Sequence, residues 1–269
     1  MNDLEADTES QPFQAGGYVF QMERKPELES AGQSPILLAN AFGETIPDFN
    51  VQADPLEILI KQEDQLQIGA CVGNSGTSVV ESCYFLVTGR AIQLSRACGY
   101  YQAQRKDGLR GDTGATLAGF RAVATEGLCL ETDWPYPNQY NNRMPDSALG
   151  KFDYKVSSTR PLKTIDEFDF WVREKKLPVH AGFLWNGSSD REYVTNYSSS
   201  GMGGHATMFW QMIGDDYRML NSWGKRWQGK GWNRWSRNAI KQLISSSYSV
   251  LVGYAPEAFS FPTPTPIGL

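Results

Sequence analysis

Gln65-Leu66-Gln67-Ile68-Gly69-Ala70-Cys71-Val72-Gly73-Asn74 is the stretch from which the fold is read. It closes a polar, irregular segment and opens a helical one. Val79, Val80, Cys83, Tyr84, Leu86 and Val87 recur at three- and four-residue steps, and Gly89 ends the pattern. Cys71 therefore stands at the start of a predicted helix, where exposed backbone amides favour negative charge. A thiol attacks a carbonyl only as thiolate, and a helix N-terminus is one of two devices that lower a cysteine pKa from about 8.5. The other is a neighbouring imidazolium. Gly69 and Ala70 are small enough for a substrate backbone to approach the thiol.

The chain holds two histidines, so a cysteine nucleophile has few partners. His205 lies among glycines, in Gly203-Gly204-His205-Ala206, where it opens the apolar strand expected over Ala206–Ile213. A base needs an acceptor that fixes its tautomer. Asn221, in Asn221-Ser222-Trp223-Gly224, can supply that amide oxygen from a hairpin partner, and Trp223 can cover the bond. Gln65 can set a side-chain N–H beside a developing oxyanion, next to the Cys71 amide. Each residue also has a bland reading. A cysteine at a helix start is often core, and a histidine at a strand end is often structural. His180, inside Pro178-Val179-His180-Ala181-Gly182-Phe183, reads as a core histidine, and Cys83, Cys98 and Cys129 read as packing thiols. The separations, 134 residues from Cys71 to His205 and 16 from His205 to Asn221, with Gln65 six residues ahead of the thiol, carry more than any single residue.

With those residues in place, the sequence resembles the papain family of cysteine peptidases over roughly Ile46 to Tyr254. Gln65, Cys71, His205 and Asn221 fall on the family's oxyanion glutamine, nucleophile, base and orienting residue. Gly229-Lys230-Gly231-Trp232 and Glu131-Thr132-Asp133-Trp134-Pro135-Tyr136 extend the match. The resemblance implies an α+β, papain-like two-lobe fold, with a helical left lobe, an antiparallel β-rich right lobe and the active-site cleft between them. It places Thr113-Gly114 where the family holds a substrate backbone. Gly69, Ala70, Thr113, Gly114, Gly204 and Trp223 are the expected substrate-binding positions.

Departures accompany the match. Ile68 stands where secreted members have a disulfide-bonded cysteine, Val72 replaces the aromatic residue after the nucleophile, and Thr113 replaces the first substrate-binding glycine. No long inhibitory pro-region precedes Gln65. The style is nearest to bacterial and bacteriophage members.

Composition bounds the rest. The 269 residues are 41% hydrophobic and 20% charged, a globular composition. A net charge of −5 without a basic block argues against nucleic acid as a partner. No run of 18 apolar residues exists, so no membrane span is expected. The acidic N-terminus lacks a secretory signal, and four cysteines are too few for a disulfide scaffold, so reduced thiols in a bacterial host cytoplasm, or a virion, are expected. No metal-ligand spacing and no phosphate loop appear, and no cofactor is expected.

Residues 1–48 read as an N-terminal arm or short pro-segment, 49–256 as the peptidase-like domain, and 257–269 as an extended Pro/Thr tail. Helices are expected over Leu117–Thr125 and from Thr164, where Glu167 completes a capping box. Strands are expected over Val179–Trp185, Ala206–Ile213, Tyr217–Leu220 after a turn at Asp215-Asp216, Trp232–Ser236 and Tyr248–Tyr254.

Two functions from different classes follow. One is a cysteine peptidase acting on polypeptides. The other is a papain-fold structural component of a large assembly, such as a phage particle, binding partners through residues 1–48 and 261–269. A transglutaminase-like or cell-wall amidase protein is a third reading, against which Asn221-Ser222-Trp223-Gly224 counts, because those enzymes complete the triad with Asp or a second His.

Overall fold

Three helices cover one face of a seven-stranded sheet whose other face builds a second core. The computed structural model describes residues 62–137, 139–140, 143–200 and 203–256. The expected arm at 1–48, the tail at 257–269 and the glycine-rich lead at Gly201-Met202 lie outside the described residues.

Helix α1 spans Cys71–Thr88 and is buried from Cys71 to Tyr84. Gly89 ends it in the left-handed conformation, φ 66°, with its N–H donating to the Phe85 carbonyl, the usual role of glycine after a helix. Helices α2 (Arg96–Lys106) and α3 (Leu117–Glu126) pack beside it. The close approach depends on small residues. A Cβ at Gly73 would lie 2.6 Å from that of Tyr100, and one at Gly76 would lie 2.4 Å from the Phe120 ring.

The strands are β1 (Val156–Pro161), β2 (Val179–Trp185), β3 (Tyr193–Val194), β4 (Gly203–Ile213), β5 (Asp216–Leu220), β6 (Trp232–Trp235) and β7 (Val250–Pro256). Their order is β1-β7-β2-β4-β5-β6-β3, antiparallel except for the short β3–β6 pair. Period-two alternation divides the side chains between two cores. Met208, Trp210, Val252 and Tyr254 join the helices, whereas Val179, Ala181, Phe183, Phe209 and Leu251 join the second core. That second core also holds α4 (Ile165–Asp169) and α5 (Arg237–Ser245). The expected α+β architecture is observed, helices in the first half and an antiparallel sheet in the second.

The Thr164–Glu167 capping box is present, and α4 runs on into a π-helical turn over Phe170–Glu174. Other boundaries differ from expectation. β4 begins at Gly203, so His205 is its third residue rather than a residue preceding it. The hairpin turns at Gly214-Asp215, where Gly214 adopts φ 61°, not at Asp215-Asp216. β7 starts at Val250 instead of Tyr248. Helices α2 and α5 and strands β1 and β3 were not expected. Gly99 within α2 and its polar exposed face weaken the periodic signal there.

A buried ionic cluster ties α2 to the segments that carry Glu63 and Glu131. The Arg96 guanidinium, 2% exposed, binds the carboxylates of Glu63 and Glu131 and lies 4.7 Å from the Tyr136 ring centroid. Burial works against its charge, but the two carboxylates outweigh burial and raise its pKa. Glu81, buried beside this cluster, accepts the Leu94 N–H at 2.7 Å. Burial first, and the charge of Glu63 second, push its carboxyl well above the usual range. A carboxyl whose folded pKa is raised stabilises the fold at low pH and loses that contribution as pH rises. Glu81→Gln keeps the acceptor and removes the titration. Its urea midpoint is expected to match wild type near pH 4 and to exceed it increasingly from pH 5 to pH 8; equal midpoints at pH 8 would contradict a neutral Glu81.

Candidate active site

His205 is set by β4, paired opposite Phe183 of β2. Its Nε2 lies 2.8 Å from Asn221 Oδ1. Asn221 directly follows β5, and the Ser222 N–H also donates to Asn221 Oδ1, at 2.8 Å. That second bond fixes which end of the amide is oxygen, so Nε2 of His205 is the donor. The neutral ring then carries its lone pair on Nδ1, which is buried and has no hydrogen-bond partner among the described residues. Trp223 stacks on the imidazole, ring centroids 4.6 Å apart and planes at 28°, while the Trp185 ring meets it edge-on at 5.0 Å. Trp227 packs against both tryptophans and donates its indole N–H to Asp190 at 2.7 Å. The bond to Asn221 is thus enclosed in an aromatic wall. Burial pushes the His205 pKa down to about 4, with the Asn221 bond acting in the opposite direction.

Gln65 is joined to the same loop. Its N–H donates to the Ser222 carbonyl at 2.8 Å, and the Ser222 hydroxyl donates to Gln65 Oε1 at 2.7 Å. Its Nε2 donates to the Ile68 carbonyl at 3.1 Å, which leaves one amide hydrogen without a partner among the described residues. Asp64 bridges Trp223, and the Gly224 N–H donates to the Glu63 carbonyl. Gln62 secures the loop from behind, donating Nε2 to the carbonyls of Asn221 (2.7 Å) and Gly231 (3.0 Å).

Cys71 is the first residue of α1, buried, with no side-chain cap competing for the first-turn amides. The Ser75 hydroxyl donates to the Cys71 carbonyl at 2.6 Å and stands 2.8 Å from His180 Nε2. With its one hydrogen committed, Ser75 accepts there, so His180 donates from Nε2. His180 is fully buried, its pKa lowered by burial to about 3, as expected for a core histidine. Ser75 and Ser78 of α1 line a small cavity with Gln62, Met208, Asn221 and Ser222. Helix α1, which begins at Cys71, and the Asn221 loop therefore face one another.

The expected substrate-binding positions are disposed as follows. Gly69 donates its N–H to Asp112 Oδ1 at 2.8 Å, and Ala70 is buried. Thr113 is exposed. Gly114 is buried, its N–H donating to the Tyr100 hydroxyl and its carbonyl accepting from Gln104 Nε2, both at 3.0 Å. Gly204 pairs with Leu184 of β2. Ile68, at the position noted for its missing cysteine, is buried in the helical core.

Several supporting residues escaped the sequence reading. Trp185 was readable, since it shares the period-two face of β2 with Phe183. Ser222 was in the quoted motif but had no assigned task. Tyr136, whose hydroxyl donates to the Gln65 carbonyl at 3.1 Å, was likewise in a quoted motif without a task. Gln62 and Asp112 act through contacts distant in sequence and carry no local signal.

The fold is that of the papain-like cysteine proteases. Among solved structures, the chain is similar to xylellain, a cysteine protease from Xylella fastidiosa (TM-score 0.63, 18% identity, 90% of this chain and 96% of that one). It is also similar to procathepsin B S9 from Trypanosoma congolense (0.61, 18%, 90% and 87%). A third is the Carica candamarcensis cysteine protease CMS1MS2 in complex with E-64 (0.59, 20%, 75% and 95%). No protein-family model matches the sequence, and no curated protein matches it.

Both histidines fold with depressed pKa values, so the unfolded chain binds protons more readily than the folded one. Their stability penalty is absent above about pH 6.5 and grows as pH falls toward 4. Each adds a slope of up to about 1.4 kcal/mol per pH unit. His180→Gln is expected to halve the histidine part of the slope of unfolding free energy between pH 6.5 and 4.5. An unchanged slope would mean that His180 is not buried neutral.

Proposed function

We propose that this chain is a cysteine peptidase hydrolysing polypeptide substrates through an acyl-enzyme. The observation that carries the reading is the His205 tautomer. Ser222 and Asn221 together hold the Nε2 proton, so the opposite nitrogen is the available base. His205 accepts the Cys71 proton at Nδ1, and the thiolate attacks the scissile carbonyl. The remaining Gln65 amide hydrogen and the Cys71 N–H receive the oxyanion. His205 then returns its proton to the leaving amine, and a water, deprotonated by the same ring, hydrolyses the thioester.

Forming an imidazolium inside this wall works against its burial-lowered pKa. The nearby thiolate offsets that cost, and the amides at the start of α1 stabilise the thiolate. On the helical wall, the Gly114 backbone is already bonded to Tyr100 and Gln104. We assign substrate backbone pairing there to the exposed Thr113 instead. Such pairing is independent of the side chain, so Thr113→Gly should change KM little.

A thiol-directed epoxide such as E-64 and fluorogenic peptide amides test the reading. Cys71 is expected to be modified far faster than a free thiol, and His205→Ala to abolish that rate. Gln65→Ala is expected to reduce kcat by about 10²–10³ with a small change in KM. Native protein whose Cys71 reacts no faster than free cysteine, and which cleaves no peptide, sinks the proposal.

A further inference from the structure

Two cysteines outside the site meet in the helical core. Cys98 is the third residue of α2, and its N–H is held by the Ser95 cap at 3.0 Å. Cys129 belongs to the segment after α3, which is fastened to the start of α2. The Ser95 N–H donates to the Cys129 carbonyl at 2.9 Å, and Leu94 bridges Leu130 in antiparallel fashion. Ser95, bonded to the Cys98 N–H and to the Cys129 carbonyl, thus sets the two cysteines side by side, and each thiol perturbs the ionisation of the other. Gln102, one turn further along α2, donates its Nε2 to Cys98 Sγ at 3.0 Å. Both residues are almost fully buried.

We propose that Cys98 and Cys129 are a dithiol site that converts to an intramolecular disulfide, clipping α2 to the Leu128–Leu130 segment. The environment is asymmetric in the way such chemistry needs. Cys98 Sγ accepts from the Gln102 amide and faces Cys129. Its pKa is lowered, chiefly by the Cys129 hydrogen bond, while that of Cys129 is raised by the same bond and by burial. Cys98 is therefore the sulfur favoured to give up its proton first. Cys83, by contrast, is buried with no thiol beside it and its pKa is raised by burial.

With a low-molecular-weight disulfide as oxidant, the Cys98 thiolate displaces one small thiolate and forms a mixed disulfide. Cys129 then loses its proton, and its sulfur displaces the second small thiolate. Two protein thiols and one small disulfide give one protein disulfide and two small thiols. Because both sulfurs are buried, the exchange requires local opening of the segment around Cys129. The bond would close a loop that carries Asp112, Thr113 and Gly114. It would also restrain Glu131, which binds Arg96 and the Tyr136 N–H.

The test uses the full chain with Cys71→Ser, so that the outcome is independent of peptidase activity. It is incubated with oxidised glutathione, and the free thiols are alkylated after unfolding. The expected product has lost two hydrogens, contains one Cys98–Cys129 linked peptide pair and leaves Cys83 free. Its thermal midpoint should rise by roughly 5–10 °C, reversibly with dithiothreitol. The rise should vanish in Cys98→Ser and in Cys129→Ser. Peptide mapping needs neither of these variants to fold. Full alkylation of both residues after oxidation, a lasting glutathione adduct on either, or linkage to Cys83 overturns the proposal.

Discussion

The hydrogen-bonded clasp between Gln62–Gln65 and Asn221–Gly224 is the constraint on which the site depends. It joins chain segments 159 residues apart, one leading into α1 and the other leaving β5. Gln62 holds the backbone of Asn221, Ser222 holds Gln65 on both its backbone and its side chain, and Glu63 holds Gly224. Each such bond contributes about 1 kcal/mol net, but leaving its buried partner unmade costs about 1–3 kcal/mol. The clasp is therefore close to all-or-none. Where it forms, the loop from Gln65 to Cys71 is only six residues long, and the start of α1 is delivered to the loop that carries Asn221.

The helical lobe reaches the clasp through a second route. Arg96 lies between Glu63, within the clasp, and Glu131 in the segment that ends at Tyr136. Tyr136 in turn bonds the Gln65 carbonyl. A buried ion pair is weak evidence of stability, because desolvation offsets most of its attraction. Its directional bonds do fix registry. Here the charged cluster sets the position of residues 63–65 relative to α2, while the apolar core supplies the burial energy.

What could be read in the sequence was periodic or local. The 3.6-residue pattern gave α1, Thr164 with Glu167 gave the start of α4, and continuous apolar runs of strand length gave β2 and β4. The spacing of Gln65, Cys71, His205 and Asn221 pointed to the fold, which was found. What stayed hidden was of two kinds. Short elements such as β3, with two residues, exist only because a distant strand pairs with them. The supporting contacts of the site run between residues far apart in sequence, as from Gln62 to Gly231 or from Gly69 to Asp112. No window of sequence contains both ends of those bonds.

The two histidines show what distinguishes a structural imidazole from one with capacity left. Both are fully buried on neighbouring strands, and burial lowers the pKa of each. His180 has both ring nitrogens near hydroxyls, Ser75 on one side and Tyr254 at 3.4 Å on the other. Its polar atoms are accounted for. His205 has one nitrogen bonded and the other buried without a hydrogen-bond partner among the described residues, and the Nδ2 of its own anchor, Asn221, is in the same condition. Buried polar atoms of that kind are rare, because each forfeits its hydration with nothing in return. His205 Nδ1 and Asn221 Nδ2 are two of several buried side-chain atoms in that condition among the described residues, so the absence of a partner alone does not mark a site. What sets His205 apart is that its other nitrogen is held by Asn221 Oδ1, itself held by the Ser222 N–H, and this leaves the lone pair on a fixed ring atom, as the proposed mechanism requires.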